Sequence, residues 1–127
     1  MQNETFSIKK RLKSFVFAFN GIRILFRNEH NAWIHLFASI CAISLGFFCH
    51  ISSIEWIAVL FAIGLVLSME AVNSAIENLC DFASPDKHET IKKVKDLAAG
   101  AVLISAIIAL IIGLIIFTPK LLKILSI

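Results

Sequence analysis

The chain predicts an all-α membrane protein, an N-terminal amphipathic surface helix followed by three transmembrane helices. Three observations carry that prediction. Hydrophobic residues make up 58% of the 127 positions, with a mean hydropathy of +0.86, and charged residues only 17%, below what a soluble domain of this size carries. The apolar residues gather into three runs separated by short polar segments. Lysines and arginines fall almost entirely beside one set of run ends. One domain over residues 1–127 is expected, because the spans leave too little chain for a separate soluble module.

The first element is expected over residues 5–27. Ile8, Leu12, Phe15, Phe19, Ile22 and Phe26 recur at three- or four-residue steps, while Lys9, Lys10, Lys13 and Arg23 fall largely elsewhere. Such a helix lies in the headgroup region with its lysines near anionic phosphates. Asn28-Glu29-His30-Asn31 then breaks the apolar pattern. The first span is expected over Ala32–Cys49, which contains no Asp, Glu, Lys or Arg. Its length is close to the minimum that crosses a hydrocarbon core of roughly 30 Å. After the polar turn His50-Ile51-Ser52-Ser53 comes a second span, residues 54–76, with Trp56 as an interfacial anchor. Phe82–Asp96 reads as a polar loop opened by the turn signal Ser84-Pro85-Asp86. The third span is expected over Leu97–Phe117, ended by Pro119.

Ten of the twelve lysines and arginines lie on the side shared by the N-terminus and the 82–96 loop; only Lys120 and Lys123 lie across. The positive-inside rule places that side in the cytoplasm. Small residues at Ala101, Ser105, Ala109 and Gly113 form a ridge that lets helices approach closely in lipid, within the chain or between copies, with a homo-oligomer favoured. Cys41, Cys49 and Cys80 show neither disulfide nor zinc spacing and read as core or lipid-facing residues. The first fifteen residues lack a signal-peptide pattern, and Asn3-Glu4-Thr5 matches a glycosylation sequon only formally. The basic residues border apolar spans rather than an independent soluble face, which argues against a nucleic-acid partner.

The informative stretch is Met69–Asp96. Glu70, Asn73, Glu77 and Asp81 sit at offsets of 0, 3, 7 and 11, one narrow stripe of a helix at about 100° per residue. Ionisable residues at the edge of a bilayer point to function by default. Topology brings Glu29, this stripe and Lys95-Asp96 to the same membrane face. Converging carboxylates suit a hard cation, and magnesium in particular bridges a few carboxylates to nucleotide phosphates. A lysine beside them can take phosphate charge. Glu70 lies deepest, where a general base acting on a hydroxyl would sit. The bland alternative is a set of salt bridges fixing loop to helix. No Walker A sequence or G-x-G is present, so any nucleotide is held without a standard Gly-rich loop. His30, His35 and His50 read as hydrogen-bonding interface residues; His88 stands out because it lies in the charged loop.

Glu70-Ala71-Val72-Asn73-Ser74-Ala75-Ile76-Glu77, with Asp81 four residues on, resembles the signature E-x-x-N-[ST]-A-I-E-x-x-x-D of the small prokaryotic diacylglycerol kinase family. His88, the run Lys95-Asp96-x-x-x-Gly100-Ala101-Val102-Leu103, Gly21-x-Arg23 and Asn28-Glu29 match the same family, over about residues 10–117. The resemblance implies a homotrimer in the bacterial cytoplasmic (inner) membrane. It also implies active sites at the cytoplasmic interface, shared between subunits, that transfer the γ-phosphate of Mg-ATP to a membrane lipid alcohol. By position, Glu70 resembles the general base and, with Asn73, a substrate-binding residue. Glu29 and Glu77 resemble the Mg2+ ligands. Lys95 and Asp96 resemble contacts to the phosphates, and Asp86, Lys87 and His88 a loop that meets the nucleotide, with Asp81 in support. Lys10 and Phe17 fall where the surface helix approaches the nucleotide; Phe17 replaces a tyrosine of the enterobacterial branch, removing its hydroxyl.

One branch of the family phosphorylates diacylglycerol and the other undecaprenol. Phe19-Asn20-Gly21-Ile22, Asn28-Glu29-x-Asn31-x-x-Ile34-His35, Glu55-Trp56 and Ser84-Pro85 resemble the undecaprenol branch. Ala32-Trp33-Ile34-His35 departs from the Phe-Arg-Ile-His common there, so the lipid stays open between the two. The residues alone also admit a non-enzymatic small transporter or ion-site protein built on Glu70. Against it, the stripe clusters at one interface, and beyond Glu55 the outer half of the spans offers no carboxylate for a relay. A structural scaffold, whose charges only set helix register, is the third reading.

Overall fold

The computed structural model describes residues 5–126 and contains four helices: α1 (Ile8–Asn28), α2 (His30–Phe48), α3 (Ser53–Ala83) and α4 (Glu89–Leu125). Of the Asn3-Glu4-Thr5 sequon, Asn3 and Glu4 lie outside the described residues. Three of the helices, α2, α3 and α4, are long and apolar enough to cross a membrane. α3 packs most extensively on α4 and next on α2; α1 touches α2 and α3 lightly.

Ser7 opens α1, its side chain accepting the Lys10 backbone N–H. Leu25 is the single α1 residue buried against protein, while Ile8, Leu12, Phe15, Phe19 and Ile22 are exposed. An apolar stripe left open by the protein suits the lipid headgroup region expected for this helix. Glu29 alone separates α1 from α2: it is extended (φ −111°, ψ 112°), and its N–H closes α1 on the Leu25 carbonyl. Trp33 clamps this corner, donating through Nε1 to the Phe26 carbonyl and packing edge-on to the Phe26 ring at 5.6 Å.

At the opposite end, α2 closes in a Schellman motif. Ile51 N–H bonds Gly46 O, His50 N–H bonds Phe47 O, and His50 takes φ 51°, the left-handed region that favours glycine. Ser52 and Glu55 then form a capping box that starts α3. Ile51, Val59, Ile116 and Phe117 make the core of this end, with Leu45, Trp56 and Leu121 packed on it. Gly46 permits that packing: a Cβ there would lie 2.6 Å from the Trp56 ring.

Two boundary expectations are corrected. The polar loop is not 82–96: α3 continues to Ala83, and α4 begins at Glu89. His88 caps α4 by accepting the Thr90 N–H at its Nδ1, Glu89 stands in the first turn, and Lys92 pairs with Asp96 four residues on. Charge along 89–96 therefore marks a solvated helix face. Pro119 does not end the third span either, because α4 runs through it to Leu125. Proline forfeits one helical hydrogen bond, but packing holds the turns beyond it: Leu121 lies on the outer core and Lys120 pairs with Glu55 at 3.2 Å. At about 1.5 Å per residue, α3 and α4 extend roughly 46 and 55 Å, longer than a hydrocarbon core of about 30 Å. Their polar turns therefore stand outside it.

The small-residue ridge serves packing within the chain at Ser105, which is buried, while Ala101 is exposed.

Candidate active site

The stripe expected on one face exists, at the inner end of α3. Helical spacing places Glu70, Asn73 and Ser74 inward, and these three are among the few polar side chains buried in the chain. Glu70 is 1% exposed, and among the described residues neither of its carboxylate oxygens has a hydrogen-bond partner; the Asn73 Oδ1 is likewise buried and unpartnered. Leaving such groups unpaired costs about 1–3 kcal/mol each, more for a charge. Native structures carry so few of them that each calls for a reason.

The α1–α2 corner brings Glu29 to this face. Ser74 Oγ donates to Glu29 Oε1 at 2.9 Å, joining residues 45 positions apart. One turn on, Asn73 Nδ2 donates to Glu77 Oε1 at 3.3 Å, and Glu77 is half-buried. Glu29 and Glu77 are both within electrostatic reach of Glu70. Asn78 Nδ2 donates to the Ser74 carbonyl at 2.9 Å, an i to i−4 bond within α3. Asp81, on the last turns of α3, accepts from Lys95 of α4, and Glu77 also acts on Lys95 electrostatically.

Among the described residues no group of three or more His, Cys, Asp or Glu side chains is gathered to hold a metal on protein ligands alone. That arrangement fits a cation that takes one or two carboxylates and completes its shell with water and phosphate. Two separately tethered carboxylates, Glu29 and Glu77, are the oxygen donors on offer.

Of the residues singled out from sequence, Glu29, Glu70, Asn73 and Glu77 come together, with Asp81 and Lys95 alongside. Asp96 turns instead to Lys92 on the exposed face of α4. Phe17 is exposed on α1, and His88 is occupied as the α4 cap. Asp86 and Lys87 sit exposed in the five-residue connection 84–88, where the Asp86 carbonyl accepts from Ser84 Oγ. Lys10 lies on the first turn of α1, on the rim of a small polar hollow with Ser7, Arg11 and Ser14.

Two residues were missed by sequence reasoning. Ser74 tethers Glu29, and His35 of α2 places Nε2 3.7 Å from Glu70 Oε2. Ser74 stood inside the quoted motif without a role; its place four residues after Glu70 was the available signal. For His35 nothing local in the sequence pointed to Glu70. His35 also heads an apolar cavity of about 660 Å3 between α2, α3 and α4, which passes Ala42, Val59 and Gly113 to Leu121 near the far end.

Residues 16–117 match the family described as prokaryotic diacylglycerol kinase. Among curated relatives, the undecaprenol kinase of Bacillus subtilis (strain 168) is 41% identical over 114 residues, covering 90% of this chain and 93% of that protein. The diacylglycerol kinase of Synechocystis sp. is 34% identical over 113 residues, covering 88% of this chain and 65% of that protein. The diacylglycerol kinase of Escherichia coli (strain K12) is 28% identical over 111 residues, covering 87% and 91%.

Proposed function

The chain belongs to the prokaryotic diacylglycerol kinase family and is an integral-membrane lipid kinase, and we propose that it transfers the γ-phosphate of Mg-ATP to the hydroxyl of undecaprenol. The observation that carries the mechanism is the buried, unpartnered carboxylate of Glu70 with Glu29 and Glu77 in reach. A carboxylate that makes no hydrogen bond at rest is free to accept one from a substrate hydroxyl. Glu70 takes the hydroxyl proton as the oxygen attacks phosphorus, Asn73 lines the substrate position beside it, and Asn73 Nδ2 orients Glu77. Glu29 and Glu77 would hold Mg2+, which when bound neutralises phosphate charge. Ser74 fixes Glu29 in place for that task. Lys95, with Asp96 and the loop residues Asp86, Lys87 and His88, supplies the nucleotide contacts, and Asp81 orients Lys95. Lys10 and Phe17 complete the nucleotide side from α1. The apolar cavity that starts at His35 offers the lipid tail a path alongside the base.

The site faces the cytoplasm of a bacterial inner membrane, a reading supported by the ten basic residues on its side. The residues form one domain, and the active unit is a homotrimer. Undecaprenol is preferred because the relative named for it shares 41% identity over 90% of this chain, and because the 19–22 and 28–35 segments resemble that branch. Diacylglycerol is the second reading, favoured by the Synechocystis relative at 34%. The test is ATP-dependent phosphate transfer by the purified protein in mixed micelles, with both lipids offered in parallel and magnesium varied. Selective transfer to undecaprenol is expected. Selective transfer to diacylglycerol would reassign the lipid, and transfer to neither by folded protein would remove the proposed reaction.

A further inference from the structure

Glu70 is well placed to take a proton and badly placed to lose it. Its carboxyl group is 1% exposed and makes no hydrogen bond among the described residues. Once protonated, it must be returned to the carboxylate before the next transfer. The neighbours that could receive the proton are few. Asn73 and Ser74 carry an amide and a hydroxyl, neither of which becomes a cation near neutral pH. Glu29 and Glu77 each accept one hydrogen bond, from Ser74 and Asn73, and as carboxylates they release a proton no more readily than Glu70 does. That leaves, among the described residues, the imidazole of His35, whose ring nitrogens can accept and donate a proton. Its Nε2 stands 3.7 Å from Glu70 Oε2. This is longer than a hydrogen bond, and a side-chain movement of less than an ångström closes it. The ring is also less enclosed than the acid, 22% exposed against 1%, and it lies in the second turn of α2, near the charged end of the bundle.

We propose that His35 is the relay residue that receives the proton from Glu70 after each phosphate transfer and hands it to solvent. The inference rests on the reading of Glu70 as general base. The steps balance as follows. The lipid O–H bond breaks and its proton bonds a Glu70 oxygen. The lipid oxygen bonds the γ-phosphorus, and the bond from that phosphorus to the bridging oxygen breaks, its electron pair leaving on the nucleoside diphosphate. The carboxyl proton then moves to the Nε2 lone pair, giving carboxylate and imidazolium, and the imidazolium yields the proton to water. Nothing is oxidised or reduced. The relay requires Nε2 to begin each cycle as an acceptor, with the ring hydrogen on Nδ1.

His35 acts through Glu70 and so is needed to reset the site, not for the first transfer. The full-length protein in mixed micelles separates the two. His35→Ala and His35→Asn are measured beside wild type and Glu70→Gln, by rapid-quench first turnover and by steady-state rate, with and without added imidazole. Both His35 variants are expected to keep a first turnover within about twofold of wild type, with the steady-state kcat falling at least about tenfold and the KM for ATP nearly unchanged. A burst therefore appears that wild type lacks. Added imidazole restores steady turnover of His35→Ala in a saturable way. Wild-type kcat in both His35 variants overturns the relay. Equal loss of first and later turnovers without imidazole rescue also overturns it, because it assigns His35 to packing. Retained activity in Glu70→Gln would instead remove the base, and the relay with it, whatever the His35 variants do.

Discussion

The two ends of α3 are built on opposite terms. At the outer end every device closes on itself: the Schellman motif of α2, the Ser52–Glu55 capping box, the Glu55–Lys120 ion pair, and a core seated on Gly46 and Trp56. At the inner end, one carboxylate and one amide oxygen are buried without a hydrogen bond among the described residues. The outer end is what a helical hairpin in lipid needs to hold its shape. The inner end forgoes stability for buried polar groups, the trade expected where side chains serve a site rather than the fold. The difference locates function more sharply than the count of acidic residues does, since Glu55 and Asp81 are carboxylates too, and both are paired.

Substitutions at the two ends should therefore separate activity from stability. The largest effect is expected from Glu70→Gln, which preserves shape and removes the proposed base. Turnover should fall by about 10²- to 10⁴-fold with the thermal midpoint unchanged, measured by radiolabelled phosphate transfer and by melting in micelles. A parallel fall in stability would show that Glu70 is structural, like Glu55 at the outer end. Next comes Glu77→Gln, expected to lower kcat and raise the magnesium concentration for half-maximal rate. A magnesium titration that superimposes on wild type would take Glu77 out of the metal site.

At the outer end the sign reverses. Gly46→Ala drives a methyl into the Trp56 ring and should destabilise the protein by about 1–3 kcal/mol, with kcat per folded molecule retained. Loss of turnover in folded protein would mean that the two ends are coupled. The smallest effect is expected at the left-handed cap. His50→Gly relieves a positive φ and should raise stability by up to about 1 kcal/mol, read as a higher thermal midpoint at unchanged activity.

Most of the helical plan was legible in the chain. Hydropathy and helical period are local properties, so the three spans, the amphipathic first helix and the Glu70–Asn73–Glu77 stripe could be read from residue types and spacing. The loop was overestimated because six of the eight residues over 89–96 are polar, with only Ile91 and Val94 apolar, and polarity does not distinguish a solvated helix from a loop. His88 and the Lys92–Asp96 pair decide it for helix. Pro119 misled for the converse reason: its local rule is sound, but the packing of Leu121 and the reach of Lys120 to Glu55 outweigh one missing hydrogen bond.

What the sequence by itself determined is the number of spans, the side on which charge accumulates and the face of α3 that carries the acids. Each depends only on a residue and its neighbours within a few turns. What only the tertiary structure decided is which polar groups meet. Ser74 reaches Glu29 across 45 positions, and His35 faces Glu70 from another helix. Those pairings depend on how far each helix is rotated about its axis when α2, α3 and α4 pack, and no spacing within one helix records that angle.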